Sequence, residues 1–195
     1  MNQIAHRERT PIRSPIPLGS NCRSLEIDGF SWREVDHKPN QSYQKHYHNN
    51  PTLAFIVKGS SAEVLSKGSI HCSAQSLIIM PAGEVHANHY SQAGCLSLVI
   101  EIKPPRLESI SSYSKVLEQF SLNSKTLFSI LLTRIYKEIL VLDTASPLAM
   151  EGLTLELLSD LSRLSSRVAK YGRPRWLRQA LDYVHAHFNE AIRLD

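Results

Sequence analysis

Residues 76–90 read SLIIMPAGEVHANHY, and the architecture follows from them. Leu77, Ile78, Ile79 and Met80 form an unbroken apolar run that Pro81 ends. A short run of this kind, bounded by turn residues, reads as a buried strand. The segment Pro81-Ala82-Gly83-Glu84-Val85 is then a turn that delivers His86. The same pattern of short strands covers about Cys22 to Lys103. Leu25 and Ile27 alternate with polar neighbours, Leu53, Phe55 and Val57 do so before a turn at Gly59, and Val64 and Leu65 precede a turn at Lys67-Gly68. Leu96, Leu98, Ile100 and Ile102 alternate with Ser97, Val99 and Glu101 until Pro104-Pro105 stops the strand. With no helical period between them, these strands predict an antiparallel sandwich or barrel.

After Pro105 the period changes. Leu127, Leu131, Ile135, Ile139 and Leu142 are spaced by three or four, which predicts a helix over 125–142 with one apolar face. Asp143 to Pro147 is a break, and Ser146 followed by Pro147 is a helix start signal. In the helix that follows, to about Val168, Met150, Leu157 and Leu164 fall seven apart, with Thr154, Leu161 and Val168 between them. This heptad-like seam is assigned to a second copy of the chain, through Met150, Leu157, Leu161, Leu164 and Val168; the alternative is an ordinary core helix. Leu148, Leu155 and Leu158 supply a second apolar face. A third helix is predicted from Pro174, with Trp176, Leu177, Ala180, Leu181, Val184 and Phe188 on one side.

Composition narrows the class. The 195 residues are 42% hydrophobic and 21% charged, which excludes general disorder and a collagen-like fibre. No run of about eighteen apolar residues exists, so no membrane partner is expected. The first twenty residues hold no apolar segment of the secretory kind, and read as a flexible arm rich in proline. Three cysteines, Cys22, Cys72 and Cys95, form no CxxC pair, which fits a reduced, cytoplasmic chain. The net charge of +4 is modest, but Arg163, Arg167, Lys170, Arg173, Arg175 and Arg178 form a run of six basic residues without an acid. Such a run is either a solvated linker or a nucleic-acid footprint.

Five of the nine histidines lie between residues 46 and 89. In His46-Tyr47-His48 the two imidazoles are spaced to share one face of a strand. No nucleophile elbow, phosphate loop, dinucleotide fingerprint or zinc-protease motif is present. The segments HYHNNPTLAFIVKGS (46–60) and SLIIMPAGEVHANHY (76–90) resemble the two short motifs of the cupin barrel. In that family the first carries His-x-His and a later Glu, and the second carries Pro-x-Gly-x-x-His, matched by Pro81, Gly83 and His86. Where metal-binding cupins place the Glu, this chain has Thr52 and Leu53. The resemblance therefore implies histidines that line a ligand cavity, with no cofactor. The alternative is a divalent metal on His46, His48 and His86, since three imidazoles can hold zinc or iron.

A third passage, RPRWLRQALDYVHAHFNEAIRLD (173–195), widens the resemblance. Ala180, Tyr183, Val184, His187 and Phe188 match the helix that opens the DNA-binding domain of AraC-type transcription regulators. The order of barrel, helical hairpin and basic-flanked helix is similar to that family. It implies a mainly β plus α fold: a cupin-like antiparallel barrel (jelly roll), then a helical hairpin and the start of a helix-turn-helix domain. The implied divisions are an arm over 1–20, an effector-binding barrel over 21–105, a dimerisation region over 106–170, and a linker with a first helix over 171–195. The implied function is the ligand-sensing and dimerisation portion of a regulator, not an enzyme. A small effector would sit by His46, His48, Phe55 and His86 and control the placement of DNA-binding units. Arg173, Arg175 and Arg178 would lie near DNA, which the chain would meet only through a DNA-binding domain that ends before its recognition helix. The rival is a cupin metalloenzyme, a dioxygenase or isomerase using His46, His48 and His86.

Overall fold

The computed structural model describes residues 12–13, 19–124, 128–171, 179–180, 183–184 and 187. Among them the strands are β1 (Ile12–Arg13), β2 (Ser20–Ile27), β3 (Phe30–His37), β4 (Ser42–Tyr47), β5 (Thr52–Leu65), β6 (Gly68–Ser73), β7 (Ser76–Met80), β8 (His86–Ile102) and β9 (Ser121–Ser124). The helices are α1 (Arg106–Ser111), α2 (Ser129–Val141) and α3 (Ser146–Tyr171).

β5 and β8 are long, pair with each other, and serve two layers. The N-terminal half of β5 and the C-terminal half of β8 pair with β7 and β3, with β2 beyond β3 and β9 beyond β7. Their other halves pair with β6 and β4. The register between β5 and β8 slips at Ile56/Lys58 and again at Gly59/Ser61, where the long strands pass from one layer to the other. Gly59 has φ 82°, and a Cβ there would strike the Gly94 carbonyl oxygen, so this crossing needs glycine. The result is the antiparallel barrel that the strand pattern predicts.

The first layer is buried on both sides, which accounts for its sequence. Trp32, Leu53, Phe55, Leu77, Ile79, Leu98 and Ile100 join one hydrophobic cluster with the helices. Ala54, Ile56, Ile78, Met80, Ser97 and Val99 face the barrel interior instead. Leu77–Met80 is thus continuous because both faces are covered, as in any strand packed between two layers. From the helices the cluster takes Leu131, Leu132, Ile135 and Ile139 of α2 and Met150, Leu153, Leu157, Leu158 and Leu161 of α3.

A hydrogen bond crosses this interface. Trp32 Nε1–H donates to Thr154 Oγ1 at 3.0 Å, and the Thr154 hydroxyl donates in turn to the Met150 carbonyl at 2.7 Å. Thr154→Val keeps the shape and strands the indole N–H in an apolar layer. We predict a loss of ~1–3 kcal/mol in urea unfolding. An unchanged midpoint would mean the bond contributes nothing to docking α3 on the barrel.

Several expectations need correction. The seam assigned to a partner chain is core: Met150 and Leu157 are fully buried, Leu161 nearly so, and Leu164 packs against the same cluster. The side chain of Val168 lies outside the described residues. Leu148 and Leu155 point outward instead, because the heptad seam matches the apolar helix face of the barrel and a helix docks by its wider stripe. Phe55, expected in the effector pocket, packs under the helices because its neighbours Ala54 and Ile56 take the interior face. The first predicted helix ends at Val141, and Leu142 adopts the left-handed conformation as its cap. Residues 121–124, placed in a helical region, form an edge strand on β7. Within the expected flexible arm, Ile12 and Arg13 pair in parallel with His46 and Tyr47, using the open edge of β4. Gln179–Ala180 and Tyr183–Val184 are helical, and His187 N–H donates to the Tyr183 carbonyl. Arg173, Arg175 and Arg178 lie outside the described residues.

Candidate functional site

The barrel encloses a cavity of about 80 Å³ between its two layers. Its most concentrated chemistry is a cluster of three buried histidines. His46 on β4 and His86 on β8 are directly opposite each other in register. His48 follows two residues after His46 and lines the same cavity. The ring centroids are 4.3 Å apart for His46–His86, 4.9 Å for His46–His48 and 5.2 Å for His48–His86. One ligand nitrogen from each lies within 4.8 Å of the others.

Backbone carbonyls orient two of the rings. His46 Nδ1 lies 2.7 Å from the Gln44 oxygen, and His86 Nδ1 lies 3.0 Å from the Glu84 oxygen. A carbonyl can only accept, so each Nδ1 carries the proton and each Nε2 keeps a lone pair. Burial holds His86 down to about 4, against the Glu84 carbonyl and aided by His46 and His48. Burial also lowers His46, against the Gln44 carbonyl. Both rings are therefore neutral acceptors at neutral pH. Backbone-anchored Nδ1–H with a free Nε2 is how metal-ligating imidazoles are commonly held. The donor set thus fits a divalent metal: His46, His48 and His86 would hold it, with Thr52 on the wall in place of a carboxylate. Glu101, opposite Thr52, accepts from Asn50 Nδ2 at 2.8 Å.

The sequence pattern did not reveal the other polar wall. Along β8, Asn88 and Tyr90 continue the inward row begun by His86. Glu63 of β5 sits opposite Asn88, and Asn88 Nδ2 donates to Glu63 Oε2 at 2.7 Å. Burial pushes the Glu63 carboxyl up to about 7, against that hydrogen bond. His37, also on the wall, stacks on Tyr90 with centroids 3.9 Å apart and planes 8° apart. Burial drives His37 down to about 4, and its Nδ1 has no hydrogen-bond partner. The one available signal for Glu63 is a carboxylate set between Ala62 and Val64 inside a strand.

Of the expected pocket residues, the structure brings His46, His48 and His86 together and puts Phe55 elsewhere. His71 and His89 are exposed. Cys72 and Cys95 are buried thiols pushed up to about 12 by burial.

The sequence model of the AraC-like ligand binding domain matches residues 32–166. The chain belongs to that family. The match runs from within β3 through β9 and most of α3, so the AraC-like domain here includes the helices that share the core of the barrel. Similar solved structures include proteins named for the cupin domain. One is a cupin-2 domain protein from Shewanella frigidimarina, 16% identical, covering 43% of this chain and 80% of that one at a TM-score of 0.38. Another is a cupin superfamily protein from Desulfitobacterium hafniense, 15% identical, covering 43% and 76% at a TM-score of 0.40. A third is an oxalate decarboxylase from Bacillus subtilis, 20% identical, covering 38% of this chain but only 21% of that one at a TM-score of 0.36. No match was found among the curated proteins. No helix among the described residues is long and apolar enough to cross a membrane.

Proposed function

We propose that this AraC-like domain is the effector-sensing portion of a transcription regulator and is not an enzyme. A single observation carries the reading. One layer of strands has the cavity on one face and α2 and α3 on the other. Ala54 and Ile56 meet whatever enters the barrel, while Leu53 and Phe55, their immediate neighbours, bear on the helices. A small effector that favours one arrangement of this layer shifts the helices with it. Tight binding without such a preference moves nothing. The outward Leu148 and Leu155 of α3, with Ile130, Leu140 and Val141 of α2, are exposed apolar positions that a homodimer would cover, and such a dimer would transmit the shift to DNA-binding units.

The test is hydrogen exchange on α3. Zinc is a suitable first occupant, because the histidine cluster supplies donors for it. Occupancy is expected to change protection over residues 146–166 in the wild type and not in a His48→Ala, His86→Ala variant. Protection confined to the barrel would sink the sensing reading.

The anchored Nδ1 atoms favour one further reading, a cupin metalloenzyme on His46, His48 and His86. A bound metal would supply Lewis acidity there, and Thr52 and Glu101 border that wall. Stoichiometric metal in the purified protein, together with turnover of a small substrate and no response in α3, would favour the enzyme over the sensor.

A further inference from the structure

Beside the hydroxyls of Thr52, Ser61, Tyr90 and Ser97, the cavity wall carries acceptors and a carboxylate. His46 and His86 offer lone pairs, and Glu63 offers a carboxylate. Among the described residues no lysine or arginine lines the cavity, and Glu63 has no ion-pair partner. Asn88 engages only one of its two oxygens. A buried carboxylate without a counter-charge is costly, and a guest that supplies the charge recovers that cost. The same wall repels an anion. Glu63 also stands apart from the three clustered imidazoles, so it is not a fourth member of that group. His37, nine-tenths buried, also lines this space, and its Nδ1 has no hydrogen-bond partner.

Resting on the effector-binding reading above, we propose that Glu63 is the specificity residue of the cavity and receives the ammonium group of a small amine-bearing effector. The Asn88 amide fixes the carboxylate for this contact. Ammonium and carboxylate form a charge-assisted hydrogen bond, strengthened by exclusion of water. The raised carboxyl of Glu63 fits this role, since an arriving cation restores its charged form. At about 80 Å³ the space suits a short-chain molecule, because one water occupies roughly 10–15 Å³ on this measure.

Propylamine, 1-propanol and propionate share one chain and differ in the head group. Each is titrated at neutral pH and matched ionic strength into the purified protein, reading the backbone amide signals of Glu63 and Asn88 by NMR. Propylammonium is expected to bind at least about tenfold more tightly than propionate. Glu63→Gln should erase that preference. Glu63→Asp, which keeps the charge, should retain the preference in part and covers the case in which the glutamine variant misfolds. Propionate binding as well as the amine, or an amine preference that survives Glu63→Gln, would overturn the assignment and leave the effector cavity standing. No response of either amide to any of the three probes would overturn the cavity reading itself.

Discussion

Leu157→Arg is expected to abolish the folded state, while Leu148→Arg with Leu155→Arg is expected to leave it intact. Leu157 has no exposed surface and belongs to the hydrophobic cluster that joins Trp32 and its layer to α2 and α3. Truncating a buried leucine costs ~2–5 kcal/mol, and an arginine adds the cost of an unpaired buried charge. Small domains hold only ~5–15 kcal/mol in total, so that single change consumes most of it. Leu148 and Leu155 are 78% and 40% exposed, and charges there remain in water. Circular dichroism of the three proteins distinguishes the sites. A folded Leu157→Arg protein with a cooperative melt would return the seam to the surface, where the heptad spacing alone would put it. Sedimentation of the outer double variant then addresses assembly. A wild-type dimer that becomes monomeric places the homodimer contact on this face, and a dimer that persists moves it elsewhere.

The second large effect is acid destabilisation. Burial holds His37 and His86 at about 4, below the ordinary 6.5 of an unfolded histidine. Between these values the unfolded chain binds protons that the folded chain refuses, so stability falls as pH falls. Each histidine contributes ~3 kcal/mol that is present above pH 6.5 and is lost as the pH drops to about 4. Glu63 opposes them. Its carboxyl is raised from 4.5 to about 7, so its contribution is complete below 4.5 and is lost as pH rises through 7. Between pH 4.5 and 6.5 two histidines outweigh one carboxyl, and the urea midpoint should climb with pH. His37→Phe, which keeps a ring on Tyr90, should flatten the climb, and Glu63→Gln should steepen it. An identical slope for wild type and His37→Phe would show that His37 protonates freely in the folded protein. Saturating zinc on the histidine cluster should preserve the share that belongs to His86 and carry it below pH 4, because a ligated imidazole refuses a proton that the unfolded chain still binds.

Much of this was legible in the sequence. Local chemistry set the order of strands and then helices. Pro81 and Pro104 ended strands by withholding donors, three- and four-residue spacing marked α2 and α3, and His46, His48 and His86 stood at spacings that put them on inward faces. These features depend on near neighbours along the chain, which a sequence displays. What covers each face depends on distant residues. Met150, Leu157 and Leu161 form an apolar stripe whether they meet another chain or the barrel, and only the position of Trp32, 122 residues from Thr154, settles that they meet the barrel. Phe55 was lost for the same reason: both faces of β5 are covered, so alternation could not say which one lined the cavity. Glu63 was hidden by parity. Thr52, Ala54 and Ile56 point inward at even positions, but the slip between Ile56 and Lys58 adds one residue to β5 against β8. Beyond it Ser61 and Glu63 point inward at odd positions. One inserted residue exchanges the two faces of a strand, and nothing in the local sequence announces it. Sequence therefore determined which elements form and which histidines could meet. Tertiary structure decided which faces are core and which carboxylate the cavity contains, because burial and register belong to contacts between parts of the chain far apart in sequence.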